Sequence, residues 1–266
     1  MKQTLQKMIE AGVHFGHPKD QWNPKMLPYI YKEKNGIHII DIVQTWFYLK
    51  KISKFLEEAC SQGKQILFVG TKKQASKIIE STAVDSNSFF VNERWLGGLL
   101  TNWSTIQKSI LKLNSLEKYE NFQNFSKKEK VKLEKQKQRL EKYIGGLKTM
   151  KQLPDIVIII GQQKELNAVK ECQKLGIRTI TLLDTNCNPL LADLFIPAND
   201  DSIASIKLII TELAKSIKNG YSIYQQKKQQ LKKIKYGCII KLKILFNKNF
   251  LKTIFRRISS QKYYKS

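Results

Sequence analysis

The run Ile156-Val157-Ile158-Ile159-Ile160 limits the possible folds of this 266-residue chain more than any other feature. β-branched residues in succession lose side-chain freedom in a helix and suit a pleated strand. A strand with no polar alternation must also be covered on both faces. Comparable short apolar runs stand at residues 37–40, 65–69, 89–91, 179–183 and 194–196. Helical spacing of apolar residues fills the intervals at 43–61, 74–83, 164–175 and 202–218. Strand–helix alternation of this kind predicts a parallel sheet joined by right-handed crossovers. The fold class is therefore α/β, a three-layer α/β/α arrangement of flavodoxin or Rossmann type.

The alternation breaks between residues 104 and 151. There, Leu and Ile recur at helical spacing over 104–118 and 126–143, with a polar bridge between them. The second stretch opens with Ser126-Lys127-Lys128-Glu129, a capping-box signature. An inserted antiparallel helical coiled-coil hairpin is expected, a strut with too little core to fold alone. Ahead of the body, residues 3–11 read as a short amphipathic helix and 12–35 as a loop-rich arm. The organisation is thus an arm (1–35), a body (36–103 and 152–220), the hairpin (104–151) and a basic extension (221–266).

Charge is the second constraint. The net charge is +25, an electrostatic footprint for polyanions. Residues 221–266 hold 13 Lys and Arg and no acid. Mutual repulsion should leave residues from about 225 onward largely disordered until phosphates relieve it. Lysine outnumbers arginine 42 to 5, although arginine makes the better bidentate and stacking contacts to RNA. That bias, with abundant Ile and Asn, reads as codon drift in an AT-rich genome.

The chemistry-bearing segment is Asn92-Glu93-Arg94-Trp95-Leu96-Gly97-Gly98-Leu99-Leu100-Thr101-Asn102-Trp103, directly after the strand at 89–91. Loops at the carboxyl edge of an open α/β sheet commonly hold ligands. This one has no His, no Cys and no nucleophile beside a base, but it offers aromatic faces, amides and a guanidinium, which suit nucleic acid. Trp95 and Trp103 have the plainer reading of core anchors. A second junction, Gly70-Thr71-Lys72-Lys73, also leaves a strand and enters a helix. It lacks both G-x-G-x-x-G and the Walker pattern, so a nucleotide-binding doubly wound enzyme is the weaker alternative. Lys72 and Lys73 are placed there to meet an RNA phosphate.

Other classes have less support. Cys60, Cys172, Cys187 and Cys238 are scattered without a C-x-x-C pair, as reduced packing cysteines are. His14 and His17 stand three apart among Gly and Pro, with Asp200-Asp201 the sole plausible remote partner for a metal. No metal, cofactor or small-molecule substrate is expected. A basic membrane-surface protein remains an alternative through the stretch 231–258, but Gly237 and clustered apolar pairs weaken its amphipathic pattern. No apolar run approaches a membrane span.

Several blocks together resemble ribosomal protein S2 of the small subunit. The loop 89–103 is like that family's hallmark. Before it stand Ala11-Gly12-Val13-His14-Phe15-Gly16-His17, Trp22-Asn23-Pro24-Lys25-Met26, Gly36-Ile37-His38-Ile39-Ile40-Asp41 and Ile66-Leu67-Phe68-Val69-Gly70-Thr71-Lys72. After it come Gly145-Gly146-Leu147-Lys148, Leu153-Pro154-Asp155-Ile156-Val157, Asp184-Thr185-Asn186 and Ile196-Pro197-Ala198-Asn199-Asp200-Asp201. The resemblance spans residues 3–224 in the family's order and stops before the extension. It implies a structural, non-enzymatic protein that binds small-subunit rRNA and neighbouring ribosomal proteins, including the large mRNA-binding one. It also implies an inserted hairpin and an rRNA-facing amino-terminal arm. Phrasing such as Thr181-Leu182-Leu183-Asp184-Thr185-Asn186 is most similar to plastid-encoded members, which need no transit peptide, and Met1-Lys2-Gln3 stands directly before the matching region. The RNA-binding set expected is His14, His17, Trp22, Asn23, Lys25, Lys72, Lys73, Arg94, Trp95, Asn102 and Trp103.

Overall fold

The computed structural model describes residues 2–118 and 126–230, and in it the apolar runs divide between two sheets. A helix α1 (Lys2–Glu10) leads into a small antiparallel sheet of β1 (Phe15–Pro18), β2 (Ile30–Lys34) and β3 (Ile37–Ile40), ordered β1-β3-β2. The segment read as a loop-rich arm thus supplies two strands of this sheet, with short helical turns and loop between them. The strand expected at 37–40 forms, but outside the parallel sheet. The reason is Asn35-Gly36, with φ of 53° and 75°. Two consecutive left-handed residues make the tight turn that matches strand twist, and a two-residue link permits only antiparallel pairing.

After α2 (Ile42–Ser61), capped by Asp41 Oδ1 accepting from Val43 N at 2.9 Å, the chain enters the main sheet. Its strands are β4 (Ile66–Val69), β5 (Phe89–Val91), β6 (Ile156–Ile160), β7 (Arg178–Leu183) and β8 (Leu194–Pro197). All neighbours are parallel, in the order β5-β4-β6-β7-β8. This is the flavodoxin-like order, with its switch point between β4 and β6.

Strand side chains alternate between two cores, as the pleat requires. Ile66, Phe68, Ile156, Ile158 and Ile160 face one core, closed by α2, α3 (Lys73–Asp85) and the helix beginning at residue 203. Leu67, Val69, Val157 and Ile159 face the other, closed by α4 (Trp103–Lys118), α6 (Leu166–Leu175) and the end of α5 (Lys127–Ile144). Thus Ile106, Ile110 and Leu113 of α4 are core residues, and the root of the inserted hairpin is part of the body. Ser126 caps α5 as its sequence predicts, accepting from Glu129 N while its own N–H donates to Glu129 at 3.0 Å. Helix α6 begins later than expected because Lys164 N and Glu165 N turn back onto Gly161 O.

The compact body ends at Tyr221, and residues 222–230 are themselves helical. The expected ordering of the remaining extension, with Cys238, lies outside the described residues. Among the described residues no helix is long and apolar enough to cross a membrane.

Candidate nucleic-acid interface

The loop after β5 owes its shape to one carboxylate. Glu171, on α6, accepts from Trp95 Nε1 at 3.0 Å, Gly98 N at 2.8 Å, Leu100 N at 2.9 Å and Thr101 N at 3.2 Å. Partial burial works against its charge. The donors from Trp95, Leu100, Thr101 and Gly98 outweigh that and hold the carboxyl below its ordinary range. Gly98 adopts φ 82°, so the chain can wrap around the anion. Glu171 was not among the expected site residues.

With the loop so folded, Trp95 is buried in the second core at 7% exposure, and Trp103 is half-buried with its Nε1 unpartnered. Both indoles pack against the second core, Trp95 within it and Trp103 at its edge. Asn102 is exposed at the entrance of α4, where its Oδ1 accepts from Thr105 Oγ1 at 2.8 Å. Arg94 is exposed.

The carboxyl edge holds the second group of expected residues. Lys72 Nζ lies 2.6 Å from Asp200 Oδ1 and 2.8 Å from Asp201 Oδ1. Burial opposes the ammonium, but the two carboxylates keep its pKa raised. Burial pushes the Asp200 carboxyl up to about 6 despite that ion pair. His17 Nδ1 is 3.1 Å from Asp184 Oδ1, and its Nε2 is 3.4 Å from Asp201 Oδ2. The Asp184 hydrogen bond, helped by the charges of Asp184, Asp201 and Asp200, outweighs burial and raises the imidazole. His17 thus meets the acidic pair that sequence singled out, and His14 does not. His14 is lowered by burial, with Nδ1 unpartnered. Ligand atoms of His17, Asp184, Asp200 and Asp201 lie within 4.8 Å of one another, a donor set a divalent cation could use, with the Lys72 ammonium already on two of the carboxylates.

These contacts stitch the small sheet to the main one. His17 N donates to Thr185 Oγ1 at 2.8 Å, and Asn23 N to Thr185 O at 2.8 Å. Asn23 also caps the turn Pro24–Tyr29 by accepting from Lys25 N at 3.0 Å. Trp22 is half-buried over His38, ring centroids 5.1 Å apart. Of this group Lys25, and at the start of α3 Lys73, remain exposed cations.

The β4–α3 junction is closed to a nucleotide phosphate. Glu165, 1% exposed, accepts from Thr71 N at 2.9 Å and Thr71 Oγ1 at 2.6 Å, so a carboxylate fills the place an anion would take. Lys72 is turned to Asp200. The geometry offers no nucleophile and base pair here, and its exposed donors are cations and amides.

Comparison with known proteins agrees. The family model for ribosomal protein S2 matches residues 8–220. The small ribosomal subunit protein uS2c of Oltmannsiellopsis viridis is 57% identical over 236 residues, covering 88% of this chain and 99% of its own. That of Chlorella vulgaris is 51% identical, covering 87% and 90%. The small ribosomal subunit protein uS2 of a Synechococcus strain, JA-2-3B'a(2-13), is 52% identical, covering 82% and 83%. A match of this extent, on a fold whose β4–α3 junction is filled by the Glu165 carboxylate, means that the chain belongs to the ribosomal protein S2 family and is a structural constituent of the small ribosomal subunit, not an enzyme.

Proposed function

We propose that this protein braces small-subunit rRNA in plastid ribosomes through Lys25, Lys73, Arg94 and Asn102. His14, His17, Trp22, Asn23, Lys72, Trp95 and Trp103 act behind them by fixing the surfaces that carry them. The observation that carries the reading is the division of labour among the site residues. The exposed ones, Lys25, Lys73, Arg94 and Asn102, are cationic or amide, while Trp95 is held by Glu171, His17 by Asp184 and Lys72 by Asp200. Phosphate contacts of this kind position a protein on RNA without reading sequence. The plastid assignment is supported by uS2c relatives in green algae and by the AT-rich lysine bias. Contact with the large mRNA-binding neighbour belongs to the same reading, since an amino-terminal sheet with exposed Leu27 and Tyr31 is suited to a protein partner.

The test is reconstitution of the full chain into small subunits lacking it, followed by a high-salt wash and rRNA crosslinking. The expected result is retention in the subunit with crosslinks from Lys25, Lys73 and Arg94. Loss on washing, or crosslinks confined to other faces, overturns the assignment.

A further inference from the structure

Between the loop after β5 and the inserted helices lies a groove of about 600 Å³ that none of the expected site residues except Arg94 touches. Its rim carries Arg94, Lys132, Lys135 and Arg139, all exposed, and no carboxylate lines it. Among the described residues none of these four is ion-paired, whereas the nearby Lys142 and Lys148 are committed to Glu93, Glu117 and Glu141. The floor is apolar, made by Leu96, Leu140 and the half-buried ring of Tyr143 among others. Lys132, Lys135 and Arg139 fall three and four apart on α5, and Leu140 and Tyr143 continue the same face. One helix face therefore presents cations and then an aromatic ring, and Arg94 closes the other wall.

We infer that this groove receives an unpaired nucleotide of rRNA, its base against Tyr143 and its flanking phosphates on Lys132, Lys135, Arg139 and Arg94. The inference rests on the rRNA-binding reading above and assigns it a particular recognition chemistry. Phosphates alone account for the rim but not the floor, because an anion gains nothing from apolar side chains. A paired base cannot enter, since its edges are occupied and its faces are stacked. A base splayed from a bulge or loop has a free face for the phenol ring and an apolar body for Leu96 and Leu140, which is how proteins commonly read single-stranded RNA. The volume is within the range of small-ligand sites and holds one nucleotide. Arg94 is available for this because Glu171 holds its loop from behind.

The test uses the full chain and two RNA hairpins that differ by one bulged 2-aminopurine nucleotide. The bulged hairpin should bind at least about tenfold more tightly, with its fluorescence quenched on binding. Tyr143→Leu, which keeps an apolar filler, should remove most of that preference and the quenching, while Tyr143→Phe keeps both. The triple variant Lys132→Gln, Lys135→Gln, Arg139→Gln alters only exposed positions. It should lower the slope of log affinity against log salt by about 2, at about 0.7 per phosphate on single strands. Equal affinity for both hairpins, or a bulge preference that survives Tyr143→Leu, overturns the groove assignment while subunit retention after the high-salt wash leaves the broader reading intact. Displacement of the bulged RNA by an acidic amphipathic peptide with no bulge preference assigns the groove to a protein instead and also overturns it. Failure to enter subunits at all removes both.

Discussion

Single residues in this protein divide into those that hold surfaces and those that present charge. Glu171 belongs to the first kind: its carboxylate serves five donors of a loop 70 to 76 positions away in sequence. Glu171→Ala should lower unfolding stability by about 3 kcal/mol, because charge-assisted bonds are lost and part-buried N–H groups are left unpaired. Arg94→Ala should change stability by less than about 0.5 kcal/mol yet weaken rRNA crosslinking. Denaturant titration beside crosslinking separates the two, and a reversed pattern would contradict the proposed roles. Sequence pointed to the loop and to Arg94 because glycine pairs and tryptophans are conspicuous locally. It could not point to Glu171, since an acid on a helix face looks solvated until the fold brings the loop over it. His17 carries a pH dependence whose sign follows from its raised pKa. Its ion pairs with Asp184 and Asp201 contribute fully below its ordinary 6.5 and are lost as pH rises through the higher folded value. Asp200, pushed up from 3.8 to about 6, loses most of its own contribution as pH rises between those two values. The urea midpoint should therefore fall as pH rises above about 6.5, and His17→Gln should flatten that fall. An unchanged slope in the variant would mean the imidazole stays neutral.

At the scale of elements, the strands and helices of the body were legible because their two periods differ so plainly. Ile156–Ile160 announces a doubly covered strand, and α2 and α3 follow helical spacing within a residue or two of their ends. The amino-terminal sheet was less legible, although its signal was present. Asn35-Gly36 between two extended runs is a hairpin turn, and it was masked by the prolines and aromatics around it. A Cβ on Gly36 would meet nothing within 4 Å, so Gly36→Val tests the turn conformation alone. It should cost about 1–2 kcal/mol in equilibrium unfolding, the penalty of a left-handed side-chain-bearing residue. Gly146 makes the opposite case. Its φ is ordinary, but a Cβ there would collide with the Phe90 carbonyl and ring of β5. Gly146→Ala should cost about 1–3 kcal/mol through overpacking, with the change seen in both thermal and denaturant unfolding. If Gly146→Ala were neutral, the segment after α5 would not be pressed against β5 as the structure has it.

The whole molecule is governed by charge more than by any pocket. A body of net +12 over residues 1–220 is already a polyanion binder, and the extension adds 13 cations and no acid. Nothing in the body's two cores requires those cations. The apolar surfaces of the sheet are closed by helices of the compact body, which ends at Tyr221. We propose that the extension contributes to affinity rather than to the choice of site, which on the same reading the surfaces around Arg94 and Lys73 determine. Removal of residues 225–266 should leave the body's unfolding transition unchanged and keep the same rRNA crosslinks. It should also flatten the dependence of log affinity on log salt by about 0.7 to 0.9 for each phosphate the extension neutralises. Because counterion release is additive over contacts, the measured change in slope counts those phosphates directly. A slope that does not move would mean the extension meets a protein neighbour instead of RNA. A crosslink pattern that shifts would mean it helps choose the site after all.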